Sequence, residues 1–412
     1  MTEQVRRTEP TRDAAHQEAG SGLYLTDEPS ARWLVRAYRC VAYEVRIRDR
    51  VFDPENLDVL EVAGRPETAA RRLLVVDRNV DRVHGPQIRE YLHQHGVPHR
   101  ILVVHAEEGS KHLGTVVRVA EEMDAFGLMR RSEPVIVVGG GVLMDVVGLA
   151  ASLYRRGTPL VRVPTTLVGL VDAGVGAKTG VNFNGGKNRL GTYAPAELTL
   201  LDRRFLSSLP QRHISNGLGE ILKIALIKDK GLFELLETHG GRLVHERFQG
   251  LTEAGDEAAL AALRAATHAM LEELQPNLWE TDLERAVDYG HTFSPRIEMQ
   301  ALPELLHGEA VAVDMALTTL LAQGRRLVSD DEQRRVFAVL DTLGLPSWDP
   351  VVTHELLVDA LRETTLHRDG RQRLPLPVGI GDVTFVDDVT DDELVAALHL
   401  QCQWGSTRRR QG

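Results

Sequence analysis

From Glu133 to Asp145 the chain reads EPVIVVGGGVLMD. A β-branched run stops on three consecutive glycines, and helix formers follow. Val and Ile suit a strand covered on both faces. Glycines at the junction let backbone N–H groups and the dipole of the next helix meet an anion. Such a junction ends either in a phosphate-binding turn or in a plain tight turn, and its spacing is not the G-x-G-x-x-G of the common dinucleotide fingerprint. Around it lie YEVRIRD from Tyr43, RRLLVVD (71–77) and HRILVVH (99–105), with helical spacing up to Gly96 and from Thr115 to Phe126. Strands alternating with helices predict an α/β, Rossmann-like domain built on a parallel sheet.

After Leu206 helices take over. NGLGEILKIALIKD (216–229), EAALAALRAATHAMLEEL (257–274), HGEAVAVDMALTTLLAQGRRL (307–327) and DEQRRVFAVLDTLG (331–344) have helical periodicity and stop at Gly, Pro or Asn. A chain of 412 residues exceeds one compact core. The change of pattern predicts a polar flexible leader over 1–40, an α/β nucleotide-binding domain over 41–205 and a mostly α-helical domain over 206–412.

The net charge of −11 speaks against nucleic acid and anionic membranes as partners, the short basic tail Arg408–Arg410 notwithstanding. No window approaches the roughly 18 apolar residues of a membrane helix, and the N-terminus shows no secretory h-region. Cys40 and Cys402 make neither a disulfide framework nor a CxxC site, which suits a reducing, cytoplasmic setting. An anionic ligand would therefore need a local basic cluster. The segment VPTTLVGLVDAGVGAKTGVNFNGGKNRLGTYAP (163–195) supplies one in Lys178, Lys187, Asn188 and Arg189. Rich in glycine and without clear periodicity, it is expected to be a long functional loop.

Glu220 and Lys223, three apart, share a helix face. His291 follows Gly290 in DYGHTF, and His307 opens HGEAV. Two histidines and a carboxylate with an open position suit a catalytic zinc. On spacing alone, with the three on separate elements, the histidines read rather as helix caps or core residues, with Glu309 serving its helix dipole. Asp77 reads either as a ribose acceptor or as a cap.

Taken in order over residues 45–395, GGGVLMD, PTTLVGLVDAGVGAKTGVN, GKN, GLGEILK, DYGHTF and LLHGEAV resemble the sugar phosphate cyclases, the superfamily of dehydroquinate synthase. The resemblance implies a homodimer with NAD in the first domain and one divalent metal, zinc or cobalt, in the second. It implies Glu220, His291 and His307 as the metal ligands. As NAD contacts it implies Asp77, Glu108, Lys111, Gly140, Gly141, Val142, Leu143, Met144, Asp145, Thr165, Thr166, Lys178, Lys187, Phe205, Leu206, Ser207 and Ser208. On the substrate side it implies Asp172, Lys178, Asn188 and Lys223, with Arg156 a phosphate partner from the other subunit.

Departures from the dehydroquinate synthase pattern bear on the substrate. Aligned on YGHTF, the expected lysine falls at Met270, the arginine at Glu284, the asparagine at Asp288 and a second histidine at Pro295. A late lysine is missing near Thr365 and Leu366, where His367 and Arg368 stand close. Glu284 in place of arginine would set like charge against a substrate carboxylate, which excludes one efficiently. The expected substrate is then sedoheptulose 7-phosphate, converted to a C7 cyclitol by transient oxidation on NAD, β-elimination of phosphate, re-reduction and an intramolecular aldol step. MDAFGL, SLYRRGTP, NFNGGKNRLGTYAP, EELQPNLWE and HRDGRQRLPLPVGIG resemble most the 2-epi-5-epi-valiolone synthases. Sister cyclases of the same branch are the alternative, then 3-dehydroquinate synthases and metal-dependent alcohol or glycerol dehydrogenases. Lys223 would support an oxyanion or form a structural ion pair.

Overall fold

The structure, a computed structural model, describes residues 6–7, 22–26, 32–37, 39–61 and 71–409. The chain separates into two units, Met1–Tyr43 and Glu44–Gly412. In the first, β1 (Arg6–Arg7), β2 (Gly22–Thr26) and β3 (Arg32–Arg36) pair antiparallel, with Gly22 opposite Arg36 and Thr26 opposite Arg32. Aperiodic sequence was expected there; among the described residues it forms paired strands. Much of 1–40 and Arg410 lie outside the described residues.

The second unit opens with β4 (Glu44–Ile47), β5 (Arg72–Asp77), α1 (Arg78–Gln94), β6 (His99–Val104), α2 (Leu113–Ala125), β7 (Val135–Gly139), α3 (Gly141–Leu153) and β8 (Leu160–Pro164). With β11 (Leu198–Leu201) the strands make one parallel sheet in the order β4-β11-β8-β7-β5-β6. Every residue of β5 and β7 is buried, as strands covered on both faces require. Alternate residues of β5 serve two cores. Leu73 and Val75 pack with Val119, Leu143 and Val147 on one face, and Leu74 and Val76 with Ile88 and Tyr91 on the other. The order reverses between β5 and β7, so Asp77 and Gly139 end neighbouring strands at a switch point, where open α/β sheets bind ligands.

The stretch expected as a loop over 163–195 is largely ordered into a hairpin, β9 (Lys178–Phe183) against β10 (Gly186–Tyr193), joined through Asn184 and Gly185 at φ 49° and 71°. Its glycines serve strand pairing: a Cβ on Gly191 would stand 2.2 Å from Thr179 O. Ahead of the hairpin, Leu167, Leu170, Val171 and Val175 pack into the core of the helical half.

That half contains α4 (Gln211–Ile227), α5 (Lys230–Glu246), α6 (Glu253–Leu274), α7 (Ser294–Gln300), α8 (His307–Gly324), α9 (Asp330–Thr342), α10 (His354–His367), the hairpin β12 (Leu374–Pro377) and β13 (Val383–Val386), and α11 (Asp391–Arg409). Two helices are central. α4 is buried at each position from Ile214 to Ile227 and α8 from Gly308 to Ala322, the signature of helices wrapped on all sides. They pack on each other, with α5, α6, α9 and α11 around them. The architecture is the α/β-plus-helical one the sequence predicts. Among the described residues no helix is long and apolar enough to cross a membrane.

Candidate active site

The close packing of α4 on the start of α8 builds the centre of the site. A Cβ on Gly308 would lie 1.8 Å from Asn216 O, and one on Gly219 would lie 2.7 Å from Gly308 O. Only glycines allow this approach, and Asn216 Oδ1 seals it by accepting the Gly308 N–H at 2.6 Å. Glu220 and His307 flank these glycines, which brings His307 Nε2 to 3.2 Å from Glu220 Oε1. His291 arrives from a turn whose Gly290 has φ 72° and whose absent Cβ would press on Val311 Cγ1 at 2.9 Å. Its Nε2 stands 3.8 Å from the same oxygen. Asp314 of α8 holds that turn in place, accepting the Phe293 and Ser294 N–H groups at 2.6 and 2.8 Å.

One donor atom from each of Glu220, His291 and His307 lies within 4.8 Å of the others. Tetrahedral zinc with bonds of about 2.0–2.1 Å spaces its donors by about 3.3 Å, so this set fits a divalent ion. His291 Nδ1 donates to Tyr289 O at 3.1 Å, leaving Nε2 free to ligate. Glu220 is 1% exposed, and neither of its carboxylate oxygens has a well-formed hydrogen bond, though Lys223 Nζ stands 2.6 Å from Oε2.

Charge explains why such a group stays ionised when buried. Desolvation works against the Glu220 carboxylate, but Lys223 and the two imidazoles outweigh it and hold the group well below its ordinary range. Lys223 is likewise held up, against burial, by Glu220 and Asp172. Burial and Lys223 pull His291 down to about 4. His307 is pushed up to about 9, because Glu298 and Glu220 outweigh burial and Lys187.

On the sheet side, Gly140 caps α3 and Thr166 lies against it, its Cγ2 3.1 Å from where a Gly140 Cβ would be. The Thr165 N–H bonds Gly139 O at 2.8 Å. Lys111, Asp145, Glu108 and Asn182 come together beside this turn, with Lys111 Nζ 2.5 Å from Asp145 Oδ2 and Asn182 Nδ2 donating to Glu108 Oε1 at 2.8 Å. Asp77 caps α1, accepting from the Asn79 N–H at 2.7 Å, and also receives the Ala106 N–H at 3.3 Å. Of Gly141, Val142, Leu143 and Met144, the last two point into the sheet core. Phe205 and Leu206 are buried, while Ser207 and Ser208 bond backbone carbonyls of their own turn. Phe205 and Ser207 line a cavity of about 220 Å³ with Arg50, Phe52, His84, Gln87, Asp202 and Arg204. Lys187, expected among the nucleotide contacts, ion-pairs with Glu298 and stands 3.3 Å from His307 Nδ1.

The third region is a chain of ion pairs. Lys178 Nζ meets Glu280 Oε1 at 2.9 Å, and Arg285 joins Glu280 at 2.8 Å to Asp288 at 2.9 Å. Arg368 takes the other Asp288 oxygen at 3.1 Å, and Tyr193 OH donates to Glu280 Oε2 at 3.2 Å. Burial opposes ionisation of Asp288, but Arg285, Lys178 and Arg368 lower its pKa. Asp172 is half-buried near Lys223; Asn188 is exposed, its N–H on Asn182 Oδ1 at 2.9 Å. Arg156, exposed at φ 63°, joins none of these ion pairs.

Here the sequence reading needs correction. Glu284 is exposed, with its N–H on Asp282 Oδ1 at 3.0 Å, and is no part of this network. The inward charge is Arg285, one residue on. The late position is filled by Arg368, 4% exposed, while Leu366 is 71% exposed and His367 is exposed. Met270 is buried in the helical core, and Pro295 lies in the first turn of α7. Sequence reasoning missed Glu280, Arg285 and Glu298; the run EELQPNLWE, which ends on Glu280, was the available signal for the first.

The family models for the 3-dehydroquinate synthase N-terminal and C-terminal domains match residues 101–216 and 217–367. A 2-epi-5-epi-valiolone synthase of Streptomyces albus is 62% identical over 95% of each chain. One from an Actinoplanes species is 65% identical over 90% of this chain and 93% of its own. Among solved structures, ValA, the 2-epi-5-epi-valiolone synthase of Streptomyces hygroscopicus subsp. jinggangensis with NAD+ and Zn2+ bound, is 52% identical and superposes with a TM-score of 0.85, covering 90% of this chain and 99% of that one. This chain belongs to the 3-dehydroquinate synthase family and, within it, groups with the 2-epi-5-epi-valiolone synthases.

Proposed function

We propose that the protein converts sedoheptulose 7-phosphate to 2-epi-5-epi-valiolone with loss of phosphate, as a carbon–oxygen lyase using NAD and one divalent ion, zinc or cobalt. The observation that carries the reading is the convergence of Glu220, His291 and His307 beside a charged network that abuts Lys223. When bound, the ion supplies Lewis-acid polarisation of a hydroxyl and its ketone, and the nicotinamide takes up and returns one hydride, so no net redox results. Lys223 keeps Glu220 ionised and places an ammonium where oxyanion charge develops. The oxidised carbon acidifies its neighbouring C–H, and phosphate leaves by β-elimination, serving as its own base. Lys178 and Asn188 orient that phosphate, with Arg156 contributed by the second copy of a homodimer. Ring opening and an intramolecular aldol step then close the carbocycle.

Selection for a sugar without a carboxylate rests on neutralised arginines. Arg285 and Arg368 face inward, yet Asp288 and Glu280 already occupy them. A substrate carboxylate would have to displace these pairs, whereas sugar hydroxyls can bond around them. The test is phosphate release from sedoheptulose 7-phosphate and from the carboxylated dehydroquinate precursor, with the product identified by NMR. The proposal expects turnover of the first alone, with no steady accumulation of NADH and loss of activity on chelation. Turnover of the carboxylated sugar, or full activity of the stripped protein, would overturn it.

A further inference from the structure

His307 has a carboxylate at each nitrogen. Nε2 is 3.2 Å from Glu220 Oε1, and Nδ1 is 2.9 Å from Glu298 Oε2. Glu298 is 3% exposed on the short helix α7, which is anchored by fully buried Ile297 and, just before its first residue, Phe293. The Lys187 ammonium bonds the same Glu298 oxygen and stands 3.3 Å from Nδ1. Two neighbours thus compete for Nδ1. A carboxylate oxygen there demands an N–H; an ammonium, which can only donate, demands a lone pair. The carboxylate is nearer, so Nδ1 keeps its proton, which leaves Nε2, on the Glu220 side, as the nitrogen for the metal.

We propose that Glu298 is a positioning residue for the metal centre: it fixes the ligating tautomer of His307 and occupies Lys187, which would otherwise favour the wrong one. The inference rests on the metal reading of Glu220, His291 and His307. Carboxylates behind metal-ligating histidines generally orient the ring and raise its basicity, and their loss costs about 10–100-fold in affinity. This case adds a competitor: without Glu298, Lys187 becomes the donor to Nδ1 and leaves a buried, uncompensated charge near the ion.

The test is competition for Zn2+ between the purified full-length protein and a chromophoric chelator. Glu298→Gln should weaken Zn2+ binding about 10–100-fold and shift the visible bands of the Co2+-loaded protein. Adding Lys187→Met to Glu298→Gln should restore part of the affinity, because the competing donor is gone. A merely structural Glu298 would give no such rescue and no spectral shift. Should Glu298→Gln fail to fold, Glu298→Asp, which keeps the charge on a shorter arm, should still bind Zn2+ more weakly than wild type. Equal affinity in wild type and the foldable Glu298 variants overturns the inference and leaves the metal reading standing. Failure of the wild type to bind Zn2+ removes both.

Discussion

The metal centre and the ion-pair network lie side by side but are built on different principles. Glu220 and His307 project from two central, largely buried helices whose separation is set by glycine-to-backbone contact, and His291 from a turn pinned to Asp314. Their positions follow from main-chain packing. Glu280, Arg285 and Asp288 sit in the irregular stretch between α6 and α7, and Arg368 just past α10. There, long side chains reach one another across several bonds, and the residue that points inward depends on local backbone direction. Backbone-fixed sites can be read residue by residue from a motif; sites made of long arms on loops cannot.

The sharpest way to break this contrast is to remove the buried charge at the fixed site. Glu220→Ala leaves Lys223, 2% exposed, without its carboxylate. Breaking such a pair costs about 3–5 kcal/mol. Urea denaturation of the metal-free variant should show this loss together with abolished Zn2+ binding. A stability equal to wild type would mean that the pair is relaxed and that the centre is no more rigid than the network.

The turn carrying His291 gives a pH signature. Burial raises the pKa of Asp314 from 3.8 to about 6, against the N–H groups of Phe293 and Ser294, which favour the ion. The folded state therefore holds the proton more tightly than the unfolded chain. Stability from this group is greatest below pH 4, falls as pH rises from about 4 to about 6, and is constant above. A shift of about two units corresponds to about 3 kcal/mol. Asp314→Asn, whose amide oxygen can still accept the N–H groups, should flatten that part of the urea stability profile between pH 4 and 7. An unchanged difference between wild type and variant across that range would discard the assignment.

How far the sequence was legible follows the same division. Short apolar or alternating runs gave β4 to β7 of the sheet, while β8 and β11 went unread; GLGEILK and HGEAV pointed to Glu220 and His307 through the family resemblance, and Gly219 and Gly308 in them prove to be the helix contact. The hairpin over 178–193 was missed because its glycines obscured the strand alternation, although Asn184-Gly185 is a strong hairpin signal. Helices α5, α10 and α11 went unread; α7, seven residues long, is too short for periodicity to show its extent beyond DYGHTF. Glu298 on that helix was therefore invisible as a neighbour of His307.

Within the network, Asp288 is the residue that occupies both arginines. Asp288→Asn removes the carboxylate partner of Arg368 and one of the two of Arg285, which keeps Glu280, and charged hydrogen bonds of this kind are worth about 1.5–3 kcal/mol. kcat/KM for sedoheptulose 7-phosphate should fall about 10–100-fold, and the carboxylated sugar phosphate should become a competitive inhibitor. Steady-state kinetics with both sugars reads the outcome. A variant that loses activity without any gain of carboxylate binding would show that the arginines are held by the fold and not by Asp288.

The smallest expected effect is the most direct comparison of alignment with geometry. Alignment on YGHTF puts Glu284 where a carboxylate-binding arginine would be, which makes Glu284→Arg the obvious route to a new specificity. The structure places that side chain in solvent and gives the inward charge to Arg285. Exposed substitutions away from such contacts usually change energies by no more than about 0.5 kcal/mol, roughly a twofold effect on a rate or affinity. Glu284→Arg should thus leave kcat/KM for sedoheptulose 7-phosphate within about twofold and should not create binding of the carboxylated sugar. A large gain in carboxylate affinity would mean that residue 284 turns inward when substrate binds, and that the loop between α6 and α7 selects the substrate by moving, with Arg285 and Asp288 only one of its two arrangements.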